Sequence, residues 1–171
     1  MALAFERQRS SMVVPSRTLE RSKAQNYLKK AGELYLDMLE ARRSGRFNSA
    51  VISAVHCGIS SSDAYTVYVG AIRSASKDHS DAVRLLSSMG TEAARMSEHL
   101  RSLLEVKNAA EYQDRLFKAN EAEVAVKHAE RLYKWVVARI SDKYPAEAVH
   151  PGRRDKEQRT LNYATPSSSS S

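Results

Sequence analysis

The chain has 171 residues, 42% hydrophobic and 27% charged, with a formal net charge of +7. That length supports one domain with a real core, and no stretch approaches the roughly 18–20 apolar residues of a membrane span. A single cysteine excludes an internal disulfide framework, and the basic balance permits contact with nucleic acid or an acidic partner without showing it.

The opening "MALAFERQRSSMVVP" places arginines after a short apolar start and has no apolar run of signal-peptide type. Residues 1–15 read as a flexible lead-in, which makes the cytoplasm the default location. A first helix is expected from near Ser16. Ala24, Tyr27, Leu28, Ala31, Leu34, Tyr35 and Met38 recur at steps of three and four, the spacing of one buried helix face. Gly45 should stop it, after Arg42 and Arg43, whose charges suit a helix C-terminus.

Asn48 is a candidate cap for a second helix. The stretch "AVISAVHCGISSSDAYTVYVGAI" is apolar or small nearly all round, which predicts a helix covered on several sides. Its small residues Ala54, Gly58, Ser61 and Ser62 would let neighbours approach closely. Tyr65, Val67 and Val69 alternate, so a strand is the competing reading of that segment's end.

After "RSASKD", Asp78 or Ser80 can cap a short third helix with Ala82, Val83, Leu85, Leu86 and Met89 facing inward, ended by Gly90. Thr91 opens a fourth, whose stripe runs through Met96, Leu100, Leu103 and Leu104. Its next positions are charged: Lys107 and Glu111, one turn apart. Either the helix leaves the core near Val106 or the pair marks a site. Asn120 with Glu123 three later reads as a capping-box variant opening a fifth helix. That helix has the cleanest stripe in the chain, Ala122, Ala125, Val126, Ala129, Leu132, Tyr133, Val136, Val137 and Ile140. Prolines, scattered charge and a serine run then predict a disordered basic tail over residues 142–171. Neither the lead nor the tail can bury enough apolar area to contribute much to folding. The expected architecture is all-α, an up-and-down antiparallel bundle of four to five helices over residues 16–141.

Chemistry-bearing motifs are few. No HExxH, CxxC, GxGxxG or GxSxG occurs, so no metal site and no cofactor are expected. His56 and Cys57, being adjacent on a helix, point to different sectors, and Cys57 reads as a buried inert thiol. Asp63 lies in the most apolar helix, where a carboxylate needs a partner; a structural ion pair is favoured over a functional acid. His79 falls in the first turn of a helix, where an exposed or cap-bonded imidazole is the ordinary outcome. Lys107 and Glu111 share one face. An exposed pair would contribute only about 0.3–0.5 kcal/mol, too little to explain its placement.

Four segments in order, "FNSAVISAVHCGISSSDAYTVY", "KDHSDAVRLLSSM", "LLEVKNAAEYQD" and "NEAEVAVKHAERLYKWV", resemble a HEPN domain, in particular the small bacterial HEPN-like proteins. The resemblance spans about residues 20–140. It implies a helical bundle that commonly dimerises. Many members are metal-independent ribonucleases with an Arg-x4–6-His motif near the dimer cleft; others accompany a nucleotidyltransferase in toxin–antitoxin operons. That motif maps onto "KNAAEY": Lys107 stands at the arginine position, Asn108 follows it, and the histidine position falls on Glu111 or Tyr112. Lysine lacks the bidentate fork of arginine. Neither replacement for histidine titrates naturally near neutral pH, and Glu111 would need a raised pKa to serve as a base. Arg73 and His79 satisfy Arg-x5-His literally but lie between the second and third helices, so the match is read as coincidence.

No firm catalytic residue is therefore assigned. The degenerate motif is Lys107, Glu111 and Tyr112, and the candidate binding residues are these with Asn108, His79 and Asp63. The expected function is a HEPN-like binding protein in a toxin–antitoxin, defence or RNA-related role. It is expected to be a homodimer, with RNA or a nucleotidyltransferase-type protein as partner and no membrane contact. An active ribonuclease using a remodelled cleft and a plain helical scaffold are the alternatives.

Overall fold

The computed structural model describes residues 14–75 and 79–144. They form five helices and one small two-stranded sheet. In chain order these are β1 (Ser16–Thr18), α1 (Ala24–Arg43), α2 (Phe47–Gly70), β2 (Ile72–Ser74), α3 (His79–Ser87), α4 (Thr91–Tyr112) and α5 (Ala119–Ile140). The all-α reading holds. Within the described residues no helix is long and apolar enough to cross a membrane.

The central element is α2, packed against α1, α5, α4 and, more lightly, α3. Its all-round apolar character has this cause: thirteen of its residues are buried, from Ala50 to Val67, because neighbours cover it on several sides. Gly58 lets α4 come close, since a Cβ there would collide with Leu103 Cδ1. The strand alternative for its end fails; Tyr65, Val67 and Val69 all lie within the helix.

Several local expectations are corrected. The first helix does not start near Ser16. Residues 16–18 pair antiparallel with β2 in the register Ser16↔Ser74, Arg17↔Arg73, Thr18↔Ile72, and α1 follows only after a 3₁₀ turn at Arg21–Lys23. The lead was expected to run through residue 15, yet the Pro15 carbonyl already accepts the Ala75 N–H at 2.9 Å; the rest of that call, and Asp78 as a cap, lie outside the described residues.

Gly45 does end α1, in a left-handed conformation with φ +71°. The Gly45 and Arg46 N–H groups turn back to the carbonyls of Arg42 and Ala41. So tight a turn leaves only Arg46 before α2 begins at Phe47, and Asn48 is already inside the helix. Its Oδ1 instead accepts the Phe117 N–H at 2.8 Å, satisfying the loop that precedes α5. The start of α5 is likewise shifted: Glu121, not Glu123, reaches back to the flanking Lys118 N–H at 2.9 Å. Glu123 pairs with Arg42 at 2.9 Å and ties α5 to α1.

At the other end, the tail does not begin at residue 142. Ser141–Lys143 continue as a 3₁₀ turn, and Tyr144 packs edge-on against Tyr68 with centroids 6.1 Å apart. Its hydroxyl donates to the Arg21 carbonyl at 3.3 Å. Residues 145–171 lie outside the described residues.

Candidate functional site

The apolar stripe of α4 runs through the buried Leu100 and Leu103 and then reaches Lys107 and Glu111, as the periodicity required. The helix does not leave the core there. The Lys107 and Glu111 side chains are only 13% and 12% exposed, and the ammonium donates to Glu111 Oε2. A third group completes the cluster. His56 on α2 brings Nε2 to 2.9 Å from Glu111 Oε1. Glu111 Oε1 is buried and has no hydrogen-bond partner among the described residues. His56 is the solvent side of the cluster, 38% exposed.

Burial by itself would raise the Glu111 pKa. The hydrogen bond and positive charge of Lys107 outweigh it, with smaller help from Tyr112 and His56, and the carboxyl sits below its usual range. It is an anion at neutral pH. Of the other motif positions, Asn108 is exposed on the adjoining face. Tyr112 is 76% exposed, and its ring carries the Lys107 ammonium 5.5 Å from the centroid.

Asp63 belongs elsewhere. It lies seven residues beyond His56, about 10 Å further along α2. Arg73 on β2 donates from Nε to its Oδ2 at 2.7 Å. The carboxylate is 10% exposed, and burial pushes its pKa up further than Arg73 and Lys30 draw it down. The structural ion pair expected for a carboxylate in so apolar a helix is thus what the fold contains. Arg73 of the literal Arg73–His79 pattern is engaged there, and the His79 side chain lies outside the described residues. Cys57 faces the interior, its Sγ donating to the Ala31 carbonyl at 3.4 Å, with its thiol pushed up to about 12 by burial. It is inert at neutral pH.

Sequence reasoning passed over His56 as a ligand and did not register His99 and His128. His56 joins Lys107 and Glu111 only because α2 packs on α4, a pairing that periodicity does not reveal. The only signal was a histidine in a helix whose other residues are mostly small or apolar. His99 of α4 and His128 of α5 approach Nδ1 to Nδ1 at 2.9 Å. Burial lowers both pKa values; Arg131 on α5 lowers them further, the neighbouring histidine lowers His99, and Glu105 on α4 partly offsets the effect at His128.

A histidine whose folded pKa lies below its unfolded value contributes stability that is present above the ordinary 6.5 and lost as pH falls through the folded pKa. Melting temperature should therefore fall on acidification below about pH 6.5. His99→Gln should flatten that slope between pH 7 and pH 5, as thermal unfolding at each pH will read; an unchanged slope would remove the pair from the account.

Among the described residues, no group of three or more His, Cys, Asp or Glu is placed to hold a metal ion. Compared with family models, with curated proteins and with solved structures, the chain matches none.

Proposed function

We propose that this chain is a HEPN-like helical bundle acting as a binding protein, without strong catalysis, in a toxin–antitoxin, defence or RNA-related role. It works as a cytoplasmic homodimer, with RNA or a nucleotidyltransferase-type protein as partner. The observation that carries the non-catalytic part is the state of Glu111. At the position where the family's motif would place a histidine stands a carboxylate that Lys107 holds ionised. A general base for RNA cleavage works best with a pKa near the operating pH, and the shift here runs the other way. The same pair ties up the cation that stands at the arginine position. Tyr112, 76% accessible and in contact with Lys107, and Leu116 in the following loop, 78% accessible, supply exposed apolar surface that suits a partner.

A second reading, an active metal-independent ribonuclease, is favoured by one observation: the imidazole of His56 stands beside a carboxylate that can orient it. The test is RNA cleavage and binding by purified protein in EDTA, with light scattering for the oligomeric state. The expected result is a dimer that binds RNA with strong salt dependence, or that captures its protein partner, and leaves RNA intact over hours. Cleavage that disappears in His56→Ala or Glu111→Gln would replace the binding reading with the enzymatic one.

A further inference from the structure

A cavity opens where the small sheet meets the start of α1. It has a volume of about 350 Å³, is broadly open to solvent, and is lined by Leu19, Lys23, Asn26, Tyr27 and Lys30. The volume falls in the lower part of the range of small-molecule sites, about 300–1,000 Å³. Lys23, Asn26, Tyr27 and Lys30 follow the spacing i, i+3, i+4, i+7, so the chain presents them along one face. The two lysines stand about 10 Å apart along the axis, within reach of a shared dianion through their long side chains. Both are exposed, and among the described residues neither takes part in an ion pair.

Arg17 stands directly opposite Arg73 in the β1–β2 ladder, and like charges directly opposite destabilise a strand pair. Arg73 is held there by its ion pair with Asp63, and Arg17 stands exposed beside it. The Arg73 guanidinium lies 5.4 Å from the centroid of the Tyr27 ring, linking the ladder to the cavity's aromatic residue. Asp63 offsets the charge of Arg73 and interacts with Lys30 as well, and Glu20, which accepts the Ser22 hydroxyl at 3.3 Å, stays an anion; the positive field at the cavity is that of Lys23 and Lys30.

We propose that this cavity binds a small phosphorylated organic molecule. Its phosphate lies between the Lys23 and Lys30 ammonium groups, and its planar or apolar part rests on Tyr27 and Leu19, with the Asn26 amide as a polar contact at the rim. A single aromatic residue beside two lysines suits a compact ligand, whereas a nucleic-acid strand calls for a groove with repeated stacking positions. The site stands apart from the Lys107 cluster and does not depend on the HEPN reading.

The test uses inorganic pyrophosphate as the probe, by titration calorimetry and by amide chemical-shift mapping at low salt. Binding should shift amides around residues 19–30. Lys23→Gln/Lys30→Gln should weaken it roughly tenfold or more, as loss of two charge-assisted contacts requires. Because both side chains are exposed, circular dichroism should show the variant folded. Lys127→Gln, an exposed lysine on α5, should bind as the parent does. A second arm titrates a single-stranded RNA oligonucleotide, whose affinity should not depend on Lys23 and Lys30. No binding at about 10 mM pyrophosphate, a range that still detects millimolar affinity, overturns the proposal. So does binding indifferent to the double substitution, or lysine dependence seen with RNA alone.

Discussion

Glu111→Gln should destabilise the protein by about 2–4 kcal/mol, a large loss for a residue on the last turn of a helix. Removing one partner of a buried pair leaves the other charge uncompensated, at a cost of about 3–5 kcal/mol when burial is complete. The value is set lower here because Lys107 and Glu111 keep 13% and 12% exposure. Lys107→Met should destabilise by a similar amount alone and by much less in the Glu111→Gln background, a coupling of about 1–3 kcal/mol. Urea unfolding of the four proteins checks this; additive losses would show that the two side chains do not act as a pair.

The pH dependence follows with a definite sign. The folded pKa of Glu111 lies below the ordinary 4.5. Its contribution is therefore complete above that value and is lost as pH falls through the lower folded pKa. In Glu111→Gln that part of the acid-side loss should vanish. The histidine pair acts at higher pH, so the two effects separate on one pH–stability curve.

The second large effect concerns the contact of α2 with α4. Leu103 is fully buried and lies against Gly58. Leu103→Ala should cost about 3 kcal/mol, a drop of roughly 10 °C in Tm, from lost transfer energy plus the cavity left behind. Gly58→Ala meets opposing terms: about 1 kcal/mol gained in helix propensity against about 1–3 kcal/mol for overpacking on Leu103. It should be mildly destabilising alone. With Leu103 already alanine the collision is gone, and Gly58→Ala should become stabilising. Thermal unfolding of the single and double variants decides it. The same sign in both backgrounds would mean that Gly58 is not there to admit Leu103.

Much of the bundle was legible because helices carry their burial in their period. The stripe of α5 from Ala122 to Ile140 and the all-round apolar α2 each imposed a helix and a degree of coverage that packing then met. The Gly45 stop was equally readable, since a left-handed residue after a basic last turn is a local requirement. Where the local signal was ambiguous, tertiary partners decided. Ser16–Thr18 became a strand only because Ile72–Ser74 lay alongside. Asn48 gave up its expected cap for the Phe117 N–H, which needed an acceptor more than a helix start one residue away did. Tyr27 shows a limit of periodicity: its spacing put it on the buried face, and the fold left it half-buried as part of a basic cavity.

By itself, then, the sequence determined the helical class, the core faces and the juxtaposition of Lys107 with Glu111, because all three follow from contacts within one helix turn. What surrounds that pair was decided only by tertiary structure. Packing α2 on α4 brings His56 to a carboxylate 55 positions away, and packing α4 on α5 sets His99 against His128. Neither approach has a period, because distance across a helix interface depends on which residues are small enough to admit it. Gly58 is the residue that admits it here: with no Cβ, it lets α4 lie close enough for Glu111 to sit among charges rather than in water.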